Sequence, residues 1–236
     1  MSPKTESEIA EAESLPYQNL VGSLMYLAVS TRPDISHNIS VLSQYNTNYG
    51  KEHCIAAKRV LRYLKGTENY GLHYKLSEDE LTGFADADWG ANIDDRRSYT
   101  GYIFKLSDAA ISWDSRKQRT VAMSSTEAEY MSLSEATKEA IHLRRFLTEI
   151  MGQQNSTILY NDNQGAGLLS KNPIFHNRTK HMDIRHHFVR DNVIAGTINI
   201  EYISTNEMPA DFLTKGLSSP KHNKCISKVG LVNILN

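Results

Sequence analysis

Apolar positions recur at helical spacing from Pro16 to Lys65, and the texture changes near Asn69. NLVGSLMYLAV predicts a short apolar helix stopped near Thr31-Arg32-Pro33. DISHNISVLSQY predicts a second, with Pro33 and Asp34 as start signals. KEHCIAAKRVLRYLKG predicts a third, in which Ile55, Val60, Leu61 and Leu64 form one stripe and Gly66 ends the helix. Beyond Asn69, YGLHYKL, ELTGFADADWG, YTGYIFKL and AAISWDS are short and aromatic or β-branched. Asp, Asn, Gly and Ser clusters separate them, as expected for strands joined by hairpin turns. A long helix is predicted over 125–151, closed by Gly152. STILYND reads as a strand, NQGAGLLSK as a short helix and TKHMDIRHHFVRDNVIAG as a basic helix. INIEYIST reads as the last strand and MPADFLTKGL as the last helix, with Pro209 near its first turn. Antiparallel strands followed by alternating helices and strands predict an α/β sheet domain with flanking helices, preceded by a small helical segment.

Composition narrows the class. The 236 residues, 40% of them hydrophobic, supply one sizeable core and a smaller module. A net charge of −1 excludes a polyanionic tail and a generally basic coat, so any nucleic-acid contact must come from local patches. Cys54 and Cys225 stand far apart, give no zinc spacing and fit a reducing compartment. No apolar run approaches the roughly 18–20 residues of a membrane span. The acidic start MSPKTESEIAEAES has no signal-peptide core. A soluble, intracellular chain without a membrane partner is expected.

Carboxylates sit where an apolar pattern does not need them. In the long helix the stripe Leu133, Ala136, Ala140, Leu143, Leu147, Ile150 extends backward onto Glu129. Glu127 falls roughly 160° away, toward water, and completes a capping box with Ser124. Asp162 extends the face of Ile158 and Tyr160 at the carboxyl end of its strand, where sites gather in α/β sheets. The Asp162-Asn163 pair also fits a helix cap. Asp211 lies in the first turns of the last helix, where a helix dipole alone accounts for an acid. In FADADWG, Phe84, Asp86 and Asp88 share a parity, so alternation does not choose between the two aspartates. Four converging carboxylates without basic partners would repel one another and raise their pKa values. Oxygen-only ligands select a hard divalent ion such as Mg²⁺ or Mn²⁺.

The order D–E–D–D across strand, helix, strand and helix resembles ribonuclease H. FADADWG, DDRRSYTGYIFKL, ISWDSRKQRTVAMSSTEAEYMSL, YNDNQGA, RTKHMDIRHHFVRD and STNEMPADFLTKGL resemble, in order, the ribonuclease H region of copia-type retrotransposon Pol polyproteins. PYQNLVGSLMYLAVSTRPDI and AAKRVLRYLKGT resemble the reverse transcriptase thumb and connection. The resemblance implies a ribonuclease H-like fold, a mixed five-stranded sheet with flanking helices. It implies a division into a flexible leader (1–15), a thumb/connection remnant (16–68), a ribonuclease H-like domain (69–218) and a C-terminal tail (219–236). It makes Asp86, Glu129, Asp162 and Asp211 the catalytic metal ligands for two Mg²⁺, with Mn²⁺ as a substitute. Asp88 then becomes a neighbouring or solvated group. The implied activity is endonucleolytic cleavage of the RNA strand of an RNA–DNA hybrid, leaving 5′-phosphate and 3′-hydroxyl ends. The implied partner is the polymerase portion of the same polyprotein, and the implied location is the cytoplasm, in the parent element's virus-like particle. No polymerase aspartate pair is present, since Asp94-Asp95 sits in a polar turn. The loop ISTNEMP lacks the histidine of many ribonucleases H, and Glu207 is the acid available there. A binding fragment that holds hybrids without cutting is the alternative, and an integrase-like or exonuclease-like metal nuclease is another.

Local basic patches supply the expected grip. Residues 171–190 carry Lys171, Arg178, Lys180, Arg185 and Arg190 with four histidines and the single acid Asp183. A solvated helix, a phosphate-contacting helix and, more weakly, a zinc site all fit that run. Lys58, Arg59, Arg62 and Lys65 on the third helix divide the same way between solvated face and phosphate contact, with Lys58 and Arg62 the candidates for contact. Asn163 and Gln164, beside Asp162, are candidates for reading 2′-hydroxyls. Trp89 and Trp113 read as core residues that also have the chemistry to stack on bases.

Overall fold

The computed structural model describes residues 16–76, 80–171 and 180–235, together with Thr5. Helix α1 (Tyr17–Ser30) buries Tyr17, Val21, Leu24 and Ala28, a stripe at three- and four-residue spacing. It ends where the N–H groups of Thr31 and Arg32 both close on the Leu27 carbonyl and Pro33 follows. A 3₁₀ turn (Pro33–Ile35) leads into α2 (Ser36–Ser43), and α3 runs Lys51–Gly66. The buried side of α3 is His53, Cys54, Ala57 and Val60. Leu61, expected in the stripe, is exposed, because the core selects the face carrying small Cys and Ala side chains against α1 and α2. The buried charge of Asp34 is met by Arg32 at 2.7 Å and by the Tyr63 hydroxyl at 2.6 Å, while Arg32 also donates to Thr67.

The second part is the expected α/β arrangement. Strands β1 (Tyr70–Leu72), β2 (Thr82–Ala87), β3 (Tyr99–Leu106) and β4 (Ala109–Lys117) precede α4 (Ser125–Met151). Then come β5 (Thr157–Asn161), α5 (Gln164–Lys171), α6 (Lys180–Ile194), β6 (Ile198–Tyr202), a 3₁₀ helix (Pro209–Leu213), α7 (Ser219–Lys228) and β7 (Leu231–Asn233). Five strands form one mixed sheet in the order β4-β3-β2-β5-β6. The β2–β3 and β3–β4 pairs are antiparallel, whereas β2–β5 and β5–β6 are parallel. Burial follows the period of two: Gly83, Ala85 and Ala87 turn to the face covered by α4, and Phe84 and Asp86 to the other.

Two expectations change. MPADFLTKGL does not form a long helix. Its helical part is the five-residue 3₁₀ segment, which lies against β2 and β3 through Phe212 and Leu213. Residues 219–235, expected as a tail, form α7 and β7. The reason is apolar burial: Cys225, Ile226, Val229 and Leu231 close the second face of the sheet with Ile103, Met208 and Phe212. Strand β7 pairs antiparallel with β1, so YGLHYKL contributes to a separate two-stranded ribbon. The turn before β7 is made by Gly230 at φ +75°, where a Cβ would lie 2.7 Å from the Ala109 Cα. The helical segment docks on the sheet through Trp113, whose indole N–H donates to the Ala28 carbonyl at 2.7 Å.

Candidate metal centre

The strand β2 carries Asp86 opposite Gly101 of β3. The Ser132 hydroxyl of α4 donates to the Asp86 carbonyl at 2.7 Å, which ties the helix to this point of the strand. Helix α4 is capped by Ser124, whose hydroxyl accepts from the Glu127 N–H at 3.2 Å. Glu127 returns a carboxylate to the N–H of Met123 at 2.9 Å and stays on the solvent side. Glu129, two residues on, is buried and aims at the sheet, as the stripe predicts. Asp162 follows β5 and accepts from the Thr205 hydroxyl at 2.7 Å. Asp86, Glu129 and Asp162 each offer a carboxylate oxygen, and these three atoms lie within 4.8 Å of one another.

Electrostatics mark Asp86 and Glu129 as under-compensated. Burial is the first cause that raises Glu129 well above the usual carboxylate range, and the charges of Asp86 and Asp162 add to it. Burial also pushes Asp86 up to about 6, against the nearby Lys215 ammonium and with the Asp211 charge. Three acidic oxygens at this separation, with no nitrogen or sulfur among them, suit a hard divalent ion, which would remove the mutual repulsion. The donor set therefore fits a divalent metal.

Asn161 was not singled out in the sequence, yet it organises the centre. Its amide N–H donates to Glu129 Oε2 at 2.9 Å and to the Ala85 carbonyl at 3.0 Å. Its carbonyl accepts from the Asn163 N–H at 2.9 Å. The available signal was parity, because Asn161 shares the buried face of Thr157 and Leu159 while Ile158 and Tyr160 face the other way. Of the Asp162-Asn163 pair that fits a helix cap, Asn163 makes it: its Oδ1 accepts from the Ala166 N–H at 3.0 Å.

Asp211 is fully buried in the 3₁₀ helix and stands apart from the trio's shared ligand cage. The expectation of four acids without basic partners is corrected here. The Lys215 ammonium lies 2.6 Å from Asp211 and 3.5 Å from Asp86, and Lys221 of α7 also contacts Asp211. Among the described residues no hydroxyl or amide hydrogen-bonds to the Asp211 carboxylate, so these two ammonium groups balance it. Thr214 donates its hydroxyl to Asp86. Lys215 was missed in the sequence, where its i+4 spacing from Asp211 was the available signal. Lys221 carried no signal, since it acts from an element read as a tail.

The remaining candidates divide. Asp88 is buried, not solvated: it accepts from the Tyr99 N–H just past the end of β2, and burial pushes it up to about 6. Trp89 is 59% exposed rather than core, because the strand ends at Ala87 and the indole reaches out to the Ala122 carbonyl at 3.2 Å. Glu207 is held by Lys224 and Lys228, which pull it down to about 2, and is therefore not a free proton carrier. Gln164 is exposed beside Asp162 and Asn163. Lys58 and Arg62 are exposed on α3. Arg185 is half-buried on α6, 3.8 Å from Glu135. Arg178 and the side chain of Lys180 lie outside the described residues.

No family model matches the chain. It is 46% identical over 231 residues to the retrovirus-related Pol polyprotein from transposon TNT 1-94 of Nicotiana tabacum, covering 98% of this chain and 17% of that protein. It is 42% identical over 220 residues to the Pol polyprotein from transposon RE1 of Arabidopsis thaliana, covering 92% of this chain and 15% of that one. The chain thus spans about a sixth of the length of the curated relatives it matches. Among solved structures it is similar to LC11-RNase H1 in complex with an RNA/DNA hybrid. That match has 11% identity and a TM-score of 0.44, and covers 57% of this chain and 94% of that one. No helix among the described residues is long and apolar enough to cross a membrane.

Proposed function

Because the chain belongs to the retrovirus-related Pol polyproteins of copia-type transposons, we propose that it is the ribonuclease H part of such a polyprotein, hydrolysing the RNA strand of RNA–DNA hybrids. The observation that carries this reading is the meeting of Asp86, Glu129 and Asp162 from a strand, a helix start and a strand end. Asp86 and Glu129 would hold divalent cations from the buried side and Asp162 from the open side, with Asp211 completing the set. Bound there, two Mg²⁺ supply an activated water and stabilise the leaving oxygen of a phosphodiester. The chain's own residues do the rest. Asn161 fixes the rotamer of Glu129, Thr214 holds Asp86, and Ser132 keeps α4 in register with β2. In this reading Gln164 and the side-chain amide of Asn163 meet 2′-hydroxyls. Arg185, Lys58 and Arg62 contact the backbone phosphates, with affinity that falls as salt rises. The helical segment 16–68 is a thumb and connection remnant in this reading. The exposed Tyr26, Leu27 and Val29 of α1 face the polymerase portion.

The test uses the purified chain with labelled RNA–DNA hybrid, RNA duplex and DNA duplex, each with Mg²⁺ or with chelator. Metal-dependent loss of RNA from the hybrid alone is expected. Tight binding of hybrid with no cleavage under any metal condition would replace the enzyme with a binding fragment.

A further inference from the structure

Lys215 brings a positive charge against the acids that are to hold a metal. Its Nζ lies 2.6 Å from Asp211 Oδ1 and 3.5 Å from Asp86 Oδ2. Asp86 therefore has two competing uses, because the same carboxylate also offers an oxygen to the cage shared with Glu129 and Asp162. The two acids cannot move away: the Asp86 and Asp211 side chains are 1% and 0% exposed, on a strand and on a 3₁₀ helix packed against it. The lysine can, since its side chain is 36% exposed and lies just past the end of the 3₁₀ helix, ahead of the exposed Gly216. Asp211 does not depend on it alone, because Lys221 contacts the same carboxylate from α7. A dication seated on Asp86 would stand within a few ångströms of that ammonium, and the two charges repel.

We propose that Lys215 is a resident counter-ion of the metal centre. In the metal-free chain it neutralises Asp86 and Asp211 and holds their side chains in place, and it competes with divalent metal for both. Metal binding expels it toward solvent on the open flank, while Lys221 stays against Asp211. Lys215 is thus a positioning residue that sets metal affinity. This inference rests on the metal-dependent reading above, and its test separates the two.

Mn²⁺ binding is measured calorimetrically, without nucleic acid, on the full chain, on Lys215→Met and on Lys215→Arg, each checked for folding by circular dichroism. Lys215→Met should bind Mn²⁺ about tenfold more tightly, because it removes a unit charge a few ångströms from the ligands. Lys215→Arg should stay near the unaltered chain. A second measurement needs no variant: acetylation of Lys215, followed by mass spectrometry, should run faster in saturating Mn²⁺ than in chelator. Equal Mn²⁺ affinity in Lys215→Met, or acetylation indifferent to Mn²⁺, overturns the counter-ion role and leaves the metal centre standing. Mn²⁺ binding in none of the three proteins overturns both.

Discussion

Asn161 carries more of the site than any residue singled out in the sequence other than the carboxylates. It satisfies a strand carbonyl, a loop N–H and Glu129 from one amide. Asn161→Ala leaves the buried Ala85 carbonyl and Asn163 N–H unpaired, at a cost of about 1–3 kcal/mol. Urea denaturation should show a lower midpoint at unchanged slope, and hybrid cleavage should fall with it. Glu129 was legible because a helical stripe extended backward lands on it, and Asp162 because it ends a strand. Lys221 was not legible, since nothing in local pattern tells which distant acid a surface lysine will reach. Asp88 shows the same limit. Its parity matched Asp86, but the strand ends between them, and one backbone bond to Tyr99 gives it a different task.

At the scale of elements, the 3₁₀ helix Pro209–Leu213 can deliver Asp211 and Thr214 only because β3 has a glycine beneath it. A Cβ at Gly101 would sit 2.7 Å from Leu213 Cβ and 2.8 Å from Thr214 Cγ2. Gly101→Ala should cost about 1–3 kcal/mol by overpacking, read as a lower thermal midpoint, and should lower cleavage by moving Thr214 off Asp86. The docking of α2 gives a pH signature. His37 meets Tyr99 edge-on at 4.7 Å, and its buried Nδ1 has no hydrogen-bond partner among the described residues. Burial lowers its pKa from 6.5 to about 4, against a hydrogen bond with the Leu213 backbone. Between those values the unfolded imidazole holds a proton that the folded one does not, so the His37 contribution to stability is lost as pH drops from about 6.5 to about 4, opposite in sign to that of the buried carboxylates Asp86 and Asp88. His37→Gln should remove that contribution, so the difference in urea midpoint between the variant and the unaltered chain should shift in favour of the variant as pH drops across the window. The long α4 was legible to its ends, because Ser124, Gly152 and an unbroken stripe all agree. The last helix was not: Pro209 marks its start correctly, but packing on the sheet shortens it to one 3₁₀ segment.

For the whole molecule, the sheet has two covered faces, and the sequence pattern showed one of them. Helix α4 announces itself, whereas α7 is short, polar and lysine-rich, with its buried Cys225 and Ile226 hidden among charges. Ending the chain at Leu217 should therefore expose Ile103, Met208 and Phe212, and should remove Lys221 from Asp211. Loss of a cooperative thermal transition is the expected outcome. A truncated chain that melts like the full one would return residues 219–236 to the status of a tail. The proposed function rests on one claim, that Asp86, Glu129 and Asp162 bind divalent metal to cut RNA in a hybrid. The most direct test compares the full chain with Asp162→Asn on an end-labelled RNA–DNA hybrid in Mg²⁺, with hybrid affinity measured alongside. Asp162 is half-exposed and accepts one hydroxyl, so the variant should fold and bind. The expected result is a rate loss beyond the about 10–100-fold that follows removal of an outer partner of a metal ligand. Cleavage by Asp162→Asn at the rate of the unaltered chain would contradict it.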